Sequence, residues 1–505
     1  MMDGAYALPE ELWAHILKFL PNEDLKAMAR VHRVFRTYAS SMICRSLTVC
    51  SLQTVNVEAA KTILENPHLA RQVTKLCLQP ISWVPGDGAK PWPNLWIISA
   101  PTFWDVLKYV KWSYPVLSWR YYHHSLESIR ISTKVIPLLT NIREIAVVPY
   151  FYNITSGLPP LEPYRALWAG LRTEHLQRLN LQLLTIAAIQ VMSGAMKSAS
   201  PVVFGSLQTL TLDLGPGQTY YPKMQEDLRA ILDCGRGSLR SFGISFDLTG
   251  ASYIAEVVGT FGFFPNLAQF HFESVSFTDD GHVQLLGEHL IPFLSKHQST
   301  LRKLHFSTFP IFGSILQFLC GDHNDQAADT ALRLEAFTLG YRFSPYSRGT
   351  RMPNFGRFAE TLTFLILRSL GEAGGLLYED VTMLFNNLHH PTYGVRLKRL
   401  WIHVQTLSPE LIDLMAMSLT DLEFLELRYG VLVEKKDQTT HNEALFLQNL
   451  SSHFYPHWGL RYLDVKSWSG RDEIPAHHLR DVIPALIEVG TIDWGGFELE
   501  LGPWY

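Results

Sequence analysis

A six-residue pattern, apolar-x-x-apolar-x-apolar, recurs along the chain as VTKLCL at 73, LESIRI at 126, IREIAV at 142, LQRLNL at 176 and LQTLTL at 207. It continues as LRSFGI at 239, LAQFHF at 267, LRKLHF at 301, LEAFTL at 334, LTFLIL at 362, LKRLWI at 397, LEFLEL at 422 and LRYLDV at 460, with a weaker copy, CRSLTV, at 44. From 142 to 460 ten steps cover 318 residues, a mean of 31.8 with individual steps of 25 to 38. Self-similarity at this period marks an array of stacked supersecondary units. The last four residues of each copy alternate in polarity, as a short strand with one buried side does. Helix-compatible stretches such as 225–235 and 280–297 lie between copies. Strand, helix and strand in repetition give parallel strands joined by helical crossovers, so the fold class is α/β. One unit cannot bury its own apolar side, and the units must therefore stack.

The arrangement resembles leucine-rich-repeat solenoids, which implies strands on a concave face and helices on a convex one. It departs from the family where many repeats carry Asn or Cys; here Leu184, Gly215, Asp247, Val275 and Phe309 stand instead. On this reading residues 44–505 form the solenoid, interrupted at about 80–122 by an aromatic-rich insertion with six of the thirteen tryptophans. That insertion is either a folded flap or an irregular repeat. Longer insertions at 149–164, 214–222, 340–355 and 429–442 follow strands and should gather on one rim.

The third, fifth and seventh positions of each copy should face the concave surface. In middle copies they are small or polar, as in Thr209, Thr211 and Asp213 or Ser241, Gly243 and Ser245. The last four copies place there Phe364, Ile366 and Arg368; Arg399, Trp401 and His403; Phe424, Glu426 and Arg428; and Tyr462, Asp464 and Lys466. Aromatics mixed with arginine are the composition of protein-binding hot spots. The expected target-binding set is Phe364, Arg368, Arg399, Trp401, His403, Phe424, Arg428 and Tyr462. Arginines beside aromatics suit an apolar anchor with an acidic or phosphorylated group, although Glu426 and Asp464 can neutralise some of the positive charge. The alternative is that the chain's own tail, WGGFELELGPWY, covers these residues.

Residues 8–42 read LPEELWAHILKFLPNEDLKAMARVHRVFRTYASSM. Leu12, Ile16, Phe19 and Leu20 have helical spacing up to Pro21. Asn22 can cap a second helix with Leu25, Met28 and Ala29 inward, and Val31, Val34, Phe35 and Tyr38 supply a third. Three short helices in forty residues bury too little surface to stand alone. Leu8-Pro9-Glu10-Glu11, Ile16, Leu20, Asp24-Leu25, Ala29, Val31 and Phe35 make the segment resemble the F-box family, with Phe35-Arg36 where many members carry Trp. The resemblance implies a trihelical F-box at 1–43 that packs on a Skp-family adaptor and so reaches a cullin–RING ubiquitin ligase core. It implies Leu8, Pro9, Ile16, Leu20 and Leu25 as adaptor contacts. CRSLTV at 44 follows without a Gly/Ser/Pro linker, so the module should continue the array rather than swing on a tether. An amphipathic cap on the first repeat is the other reading of the same helices.

The composition narrows the partners. A formal net charge of −4 over 505 residues gives no reason to expect nucleic acid or a membrane surface. Five cysteines without CxxC spacing, the absence of a signal-peptide pattern at the start and of any long apolar run point to the cytosol, the nucleus or both. Twenty histidines fall in no metal pattern; the doublets at 123–124, 389–390 and 477–478 should point apart, and no GxSxG or phosphate-loop motif occurs. No cofactor, metal or catalytic residue is expected. The function expected is a non-enzymatic substrate receptor of an SCF-type ligase. A scaffold without ubiquitin transfer, a bare leucine-rich interaction protein and an enzyme built from scattered residues are the other readings.

Overall fold

The computed structural model describes residues 10–17, 19–20, 22–31, 35, 45–50, 54–79, 130–131, 133–147, 165, 168, 174–184, 186–198, 204–214, 223–246, 251–274, 283–307, 315, 318–319, 332–341, 355–369, 374–389, 395–438, 440–468 and 474–490. The aromatic-rich insertion, the insertions at 149–164 and 215–222, and the tail from 491 lie outside them. The fold is α/β, and the chain divides into two compact units, Met1–Ser238 and Leu239–Tyr505.

The first unit carries helices α1 (Glu10–Leu17) and α2 (Asn22–Val31), then parallel strands β1 (Ser46–Cys50), β2 (Lys75–Gln79), β3 (Glu144–Val147), β4 (Arg178–Leu184) and β5 (Thr209–Leu214) in sequential order. Helices α3 (Thr54–Glu65), α4 (Ile186–Ser198) and α5 (Met224–Asp233) follow β1, β4 and β5. Ser193 of α4 donates to the Asp227 carboxylate of α5 at 2.6 Å, tying neighbouring crossovers together. Each of these strands begins at the third residue of a hexamer, as the alternation requires. The copy at 126 is different. Its described end, Arg130 and Ile131, is helical, and β2 pairs directly with β3. Leu126 and Ile129 also have i, i+3 spacing, so the same letters satisfy a helical turn.

The second unit holds nine parallel strands in sequential order: β6 (Ser241–Phe246), β7 (Gln269–Ser274), β8 (Lys303–Ser307), β9 (Ala336–Tyr341), β10 (Phe364–Ser369), β11 (Arg399–Leu407), β12 (Phe424–Leu432), β13 (Tyr462–Ser467) and β14 (Glu488–Val489). Helices α6 (Ala251–Thr260), α7 (Val283–His297), α8 (Tyr378–Leu388), α9 (Pro409–Ser418), α10 (Glu443–Leu450) and α11 (Ala476–Val482) connect them. β11 and β12 run longer than one hexamer predicts, nine residues each; β12 continues through Leu432, so the insertion expected from 429 starts later, and the two-residue β14 corresponds to no hexamer.

One hydrogen-bond device repeats throughout. Within each unit, the carbonyl of the second residue of a strand-forming hexamer accepts two successive N–H groups where the next strand begins, as Arg302 accepts from Glu335 and Ala336 at 2.7 and 3.2 Å and Lys398 from Glu423 and Phe424 at 2.9 and 3.0 Å. This satisfies the backbone where the strand begins. Helix starts are equally local. Ser408 accepts from Leu411 N–H at 3.3 Å with Pro409 in the first turn, and Asn442 accepts from Leu445 N–H at 3.1 Å.

Strictly sequential strand order with right-handed crossovers places the helices on one side of a sheet. Toward them point the second-phase residues, Phe242, Ile244, Phe270, Phe272, Leu304, Phe306, Phe337, Leu365, Leu400 and Leu425, all buried. His297 belongs to this interior. Its Nε2 accepts from Phe264 N–H at 2.9 Å and its Nδ1 donates to the Phe293 carbonyl at 2.8 Å, a structural staple rather than a ligand.

Candidate functional site

The other phase of the second unit's strands forms the face turned away from the crossover helices, open in that sense alone because many of its side chains are buried, with three rows in register. One row runs Ala336, Phe364, Arg399, Phe424, Tyr462. The next runs His271, His305, Thr338, Ile366, Trp401, Glu426, Asp464, and the third holds Glu273, Ser307, Gly340, Arg368, His403, Arg428 and Lys466. Strands about 4.8 Å apart put each residue against its row neighbours. Phe424 and Tyr462 stack with centroids 4.4 Å apart and planes 5° from parallel. Arg399 lies over Phe424 at 4.4 Å and Arg368 over Trp401 at 5.4 Å. All eight residues expected to bind a target therefore share one face of neighbouring strands. Phe364, Ile366 and Trp401 are only 7%, 8% and 9% exposed and pack together with Ala336 and Phe424.

The charge pattern is partly self-neutralised. Arg428 donates to one oxygen of Glu426 through Nε at 2.8 Å and a terminal nitrogen at 2.6 Å, and Lys466 donates to Asp464 at 2.6 Å. Both carboxylates are 2% exposed. These pairs are i, i+2 on one strand, so they share a face and meet. Arg368 and Arg399 are instead the cations laid over aromatic rings.

Sequence reasoning missed the two ends of this face. At one end His271 and His305 stack with centroids 3.9 Å apart, and His271 Nε2 sits 3.2 Å from a Glu273 oxygen. Both occupy the fifth hexamer position of consecutive copies, which was signal enough to place them together. At the other, Trp468 stands 6.2 Å from the His403 ring. A Cβ on Gly430 would approach Trp468 to 2.7 Å, and one on Gly375 to 2.8 Å, so the indole rests on two glycines. No spacing rule links 375, 430 and 468. A cavity of about 20 Å³ beside His305, Thr338 and Phe364 has room for one water. That cavity is far smaller than the few hundred Å³ of a small-molecule site.

Burial holds His271 and His403 neutral, at pKa values of about 3 each; Arg368 and Arg428 add to the depression at His403. His305 is lowered by burial and then by His271, while burial raises Glu273 against the pull of His305 and Arg368. An imidazole whose folded-state value lies below its unfolded one gains a proton on unfolding in the interval between them. Its stabilisation is therefore complete above about pH 6.5 and drains as pH falls toward 3. At pH 5 the loss for His271 alone is about 2 kcal/mol. The urea midpoint of the second unit is expected to fall between pH 7.5 and 5.0, and His271→Asn should flatten that dependence. A pH-independent midpoint would mean that these rings are hydrated.

At the N-terminus, Leu17, Leu25 and Phe35 form a small core with Trp13, Leu20 and Met28 packed on it, and Trp13 meets Phe35 edge-on at 4.8 Å. Leu12, Ile16, Phe19 and Val31 point the other way and are exposed, Phe19 by 75%. Two helices of 8 and 10 residues thus keep one apolar stripe for themselves and present a second to solvent. Residues 6–47 match the F-box domain. A comparison with curated proteins finds no match. Within the F-box segment the expected contacts divide. Ile16 is on the exposed stripe, Leu20 is half-buried against the core and Leu25 is buried in it; Leu8 and Pro9 lie outside the described residues. Leu12, Phe19 and Val31 join the exposed stripe although they were not among the expected contacts. Of the residues expected to form a third helix there, Val31 ends α2 and only Phe35 is otherwise described, in helical conformation; Val34 and Tyr38 lie outside the described residues.

The histidine doublets offer one further correction. His477 and His478 in α11 lie with ring centroids 4.2 Å apart rather than pointing away from each other. Among the described residues no group of three or more His, Cys, Asp or Glu side chains is placed to hold a metal ion, and no described helix is long and apolar enough to cross a membrane.

Proposed function

We propose that this chain is a non-enzymatic substrate receptor of an SCF-type cullin–RING ubiquitin ligase. A trihelical F-box at 1–43 docks a Skp-family adaptor, and a leucine-rich-repeat solenoid at 44–505 binds a target protein on its concave face. The observation that carries the reading is the F-box match at 6–47 combined with its exposed apolar stripe, Leu12, Ile16, Phe19 and Val31. An exposed stripe on so small a module asks for a partner, because burying it there stabilises both sides. The open face supports the target half of the reading. It holds aromatics and arginines over several neighbouring strands. Such a receptor works in the cytosol or nucleus, with neither nucleic acid nor membrane as its main partner, and needs no cofactor.

Affinity purification of the full chain followed by mass spectrometry is the test. Recovery of adaptor and cullin together is expected. Adaptor without cullin would favour a scaffold without ubiquitin transfer, and loss of both would leave a bare interaction protein. For the target half, a chain with Trp401→Ala and Arg399→Ala should keep its adaptor and lose the remaining partners. An unchanged partner set would remove the open face from the proposal.

A further inference from the structure

The strands of the first unit present a different kind of face from those of the second. One phase, with Leu76, Ile145 and Leu179, is buried beneath the crossover helices. The other places Thr48, Cys77, Ala146, Asn180 and Thr211 in one row across β1 to β5. This row is a floor of short side chains, with no ring and no long aliphatic group, whereas the equivalent row of the second unit carries Ile366 and Trp401. Thr48, Ala146 and Asn180 are half-buried, so the floor meets solvent. Side chains this short leave room over the sheet for a second backbone.

Two polar groups of that floor are unsatisfied. Asn180 Oδ1 is buried and accepts no hydrogen bond among the described residues. Thr211, its register partner on β5, is 6% exposed, and its hydroxyl makes no hydrogen bond among the described residues. Buried polar groups are almost always paired, and an exception asks for a missing partner. These two stand side by side, about 4.8 Å apart across the strands, and both face away from the helices. A charged row flanks them. Lys75 holds the Glu144 carboxylate at 2.7 Å, and Arg178, next in that row, is exposed and has no ion pair among the described residues. Arg178 precedes Asn180 by two positions on β4, about 6.6 Å along the strand.

We infer that this face of the first unit docks an extended segment of a partner protein that carries a carboxylate, with Asn180 and Thr211 on its main chain and Arg178 on its charge. The ligand chemistry follows from the groups. A primary amide offers an acceptor and two donors, which match the N–H and C=O of a peptide unit. The Thr211 hydroxyl donates or accepts for the neighbouring unit. Side chains of an extended segment alternate, so every second one leans toward Arg178, whose guanidinium takes a carboxylate bidentately. A nucleic acid fits less well. The floor has no aromatic ring for a base to stack on, and the flanking row sets only two cations against one carboxylate. The inference goes beyond the target reading above, which concerns the second unit, and does not depend on it.

The experiment selects a phage-displayed library of linear peptides on the immobilised full chain, with counter-selection on the Asn180→Leu chain. That change removes the amide and keeps the size and branching of the side chain. Enriched peptides are expected to contain Asp or Glu and to bind the native chain at least about tenfold more tightly than the Asn180→Leu chain. Arg178→Glu should abolish their binding, and a peptide with Lys in place of its carboxylate should bind that variant again. Trp401→Ala should leave peptide binding unchanged. A thermal melt of each variant accompanies the binding; if Asn180→Leu does not fold, the charge exchange at Arg178, which is exposed, decides alone. The inference is overturned by a library that yields no enriched peptide, or by peptides that bind the native and Asn180→Leu chains equally. Indifference to Arg178→Glu overturns it too, as does loss of binding in the Trp401→Ala chain, which would place the peptides on the second unit. A fluorescent single-stranded oligonucleotide completes the test. Binding of it that depends on Arg178 would assign the face to nucleic acid instead.

Discussion

A chain carrying Leu12→Asp and Ile16→Asp is expected to lose its Skp-family adaptor while its N-terminal helices stay folded. The two positions are i and i+4 on α1, so they share a face, and both are exposed. Neither belongs to the Leu17–Leu25–Phe35 core, so the substitutions add charge to solvent-facing positions rather than to the interior. Truncating a buried interface anchor costs about 2 kcal/mol or more. Two anchors together correspond to a loss of about a thousandfold in affinity, and aspartate adds the penalty of desolvating a charge. The measurement is co-purification of the adaptor beside a thermal melt of the chain. Leu25→Ala is the informative contrast. It should also weaken capture, but by removing core packing, about 2–4 kcal/mol in a module with little to spare, so its melt should change. Adaptor retained by the double aspartate chain would remove this stripe from the interface.

That contrast shows where sequence reasoning is strong and where it stops. Alternation fixes which side of a strand is apolar, and a hexamer at regular spacing fixes which strands are neighbours. The rows Phe364–Arg399–Phe424–Tyr462 and Ile366–Trp401–Glu426–Asp464 could thus be written down from the letters. So could the meeting of Glu426 with Arg428, which needs only the two-residue period. Helical spacing is less decisive. Leu12, Ile16, Leu20 and Leu25 all fit amphipathic helices, but only packing shows that Leu25 serves the module's own core while Leu12 and Ile16 face outward. LESIRI fails for a related reason, since a short apolar run fits both periods and only its context chooses. Trp468 on Gly375 and Gly430 was out of reach altogether. Three positions scattered over 93 residues meet around Gln405 of β11, and no local rule relates them.

Phe270→Ala should be the most damaging single change in the second unit, and it should separate the two halves of the proposed function. Phe270 is 1% exposed and sits at the centre of an aromatic interior, with ring centroids 4.8 Å from Phe293, 5.9 Å from Phe242 and 6.3 Å from Phe306. These neighbours come from β6, β8 and α7, so no single element can close the gap by shifting alone. A Phe→Ala change in such surroundings costs about 3–5 kcal/mol, the lost transfer free energy plus the cavity left behind. In a unit of this size each kilocalorie shifts the melting midpoint by about 2–4 °C, so a fall of about 10 °C is expected. Residue 271, the next in the strand, points to the open face beside His305, so a loosened β7 also disturbs that end of the face. The F-box segment draws on a different core, Leu17, Leu25 and Phe35. Co-purified adaptor should therefore persist at temperatures where target partners are already lost. Differential scanning fluorimetry with adaptor and partner recovery across the same temperatures reads both effects. Simultaneous loss of adaptor and partners would show that the two cores unfold as one, and a midpoint lowered by less than about 3 °C would show that β7 and α7 close the cavity.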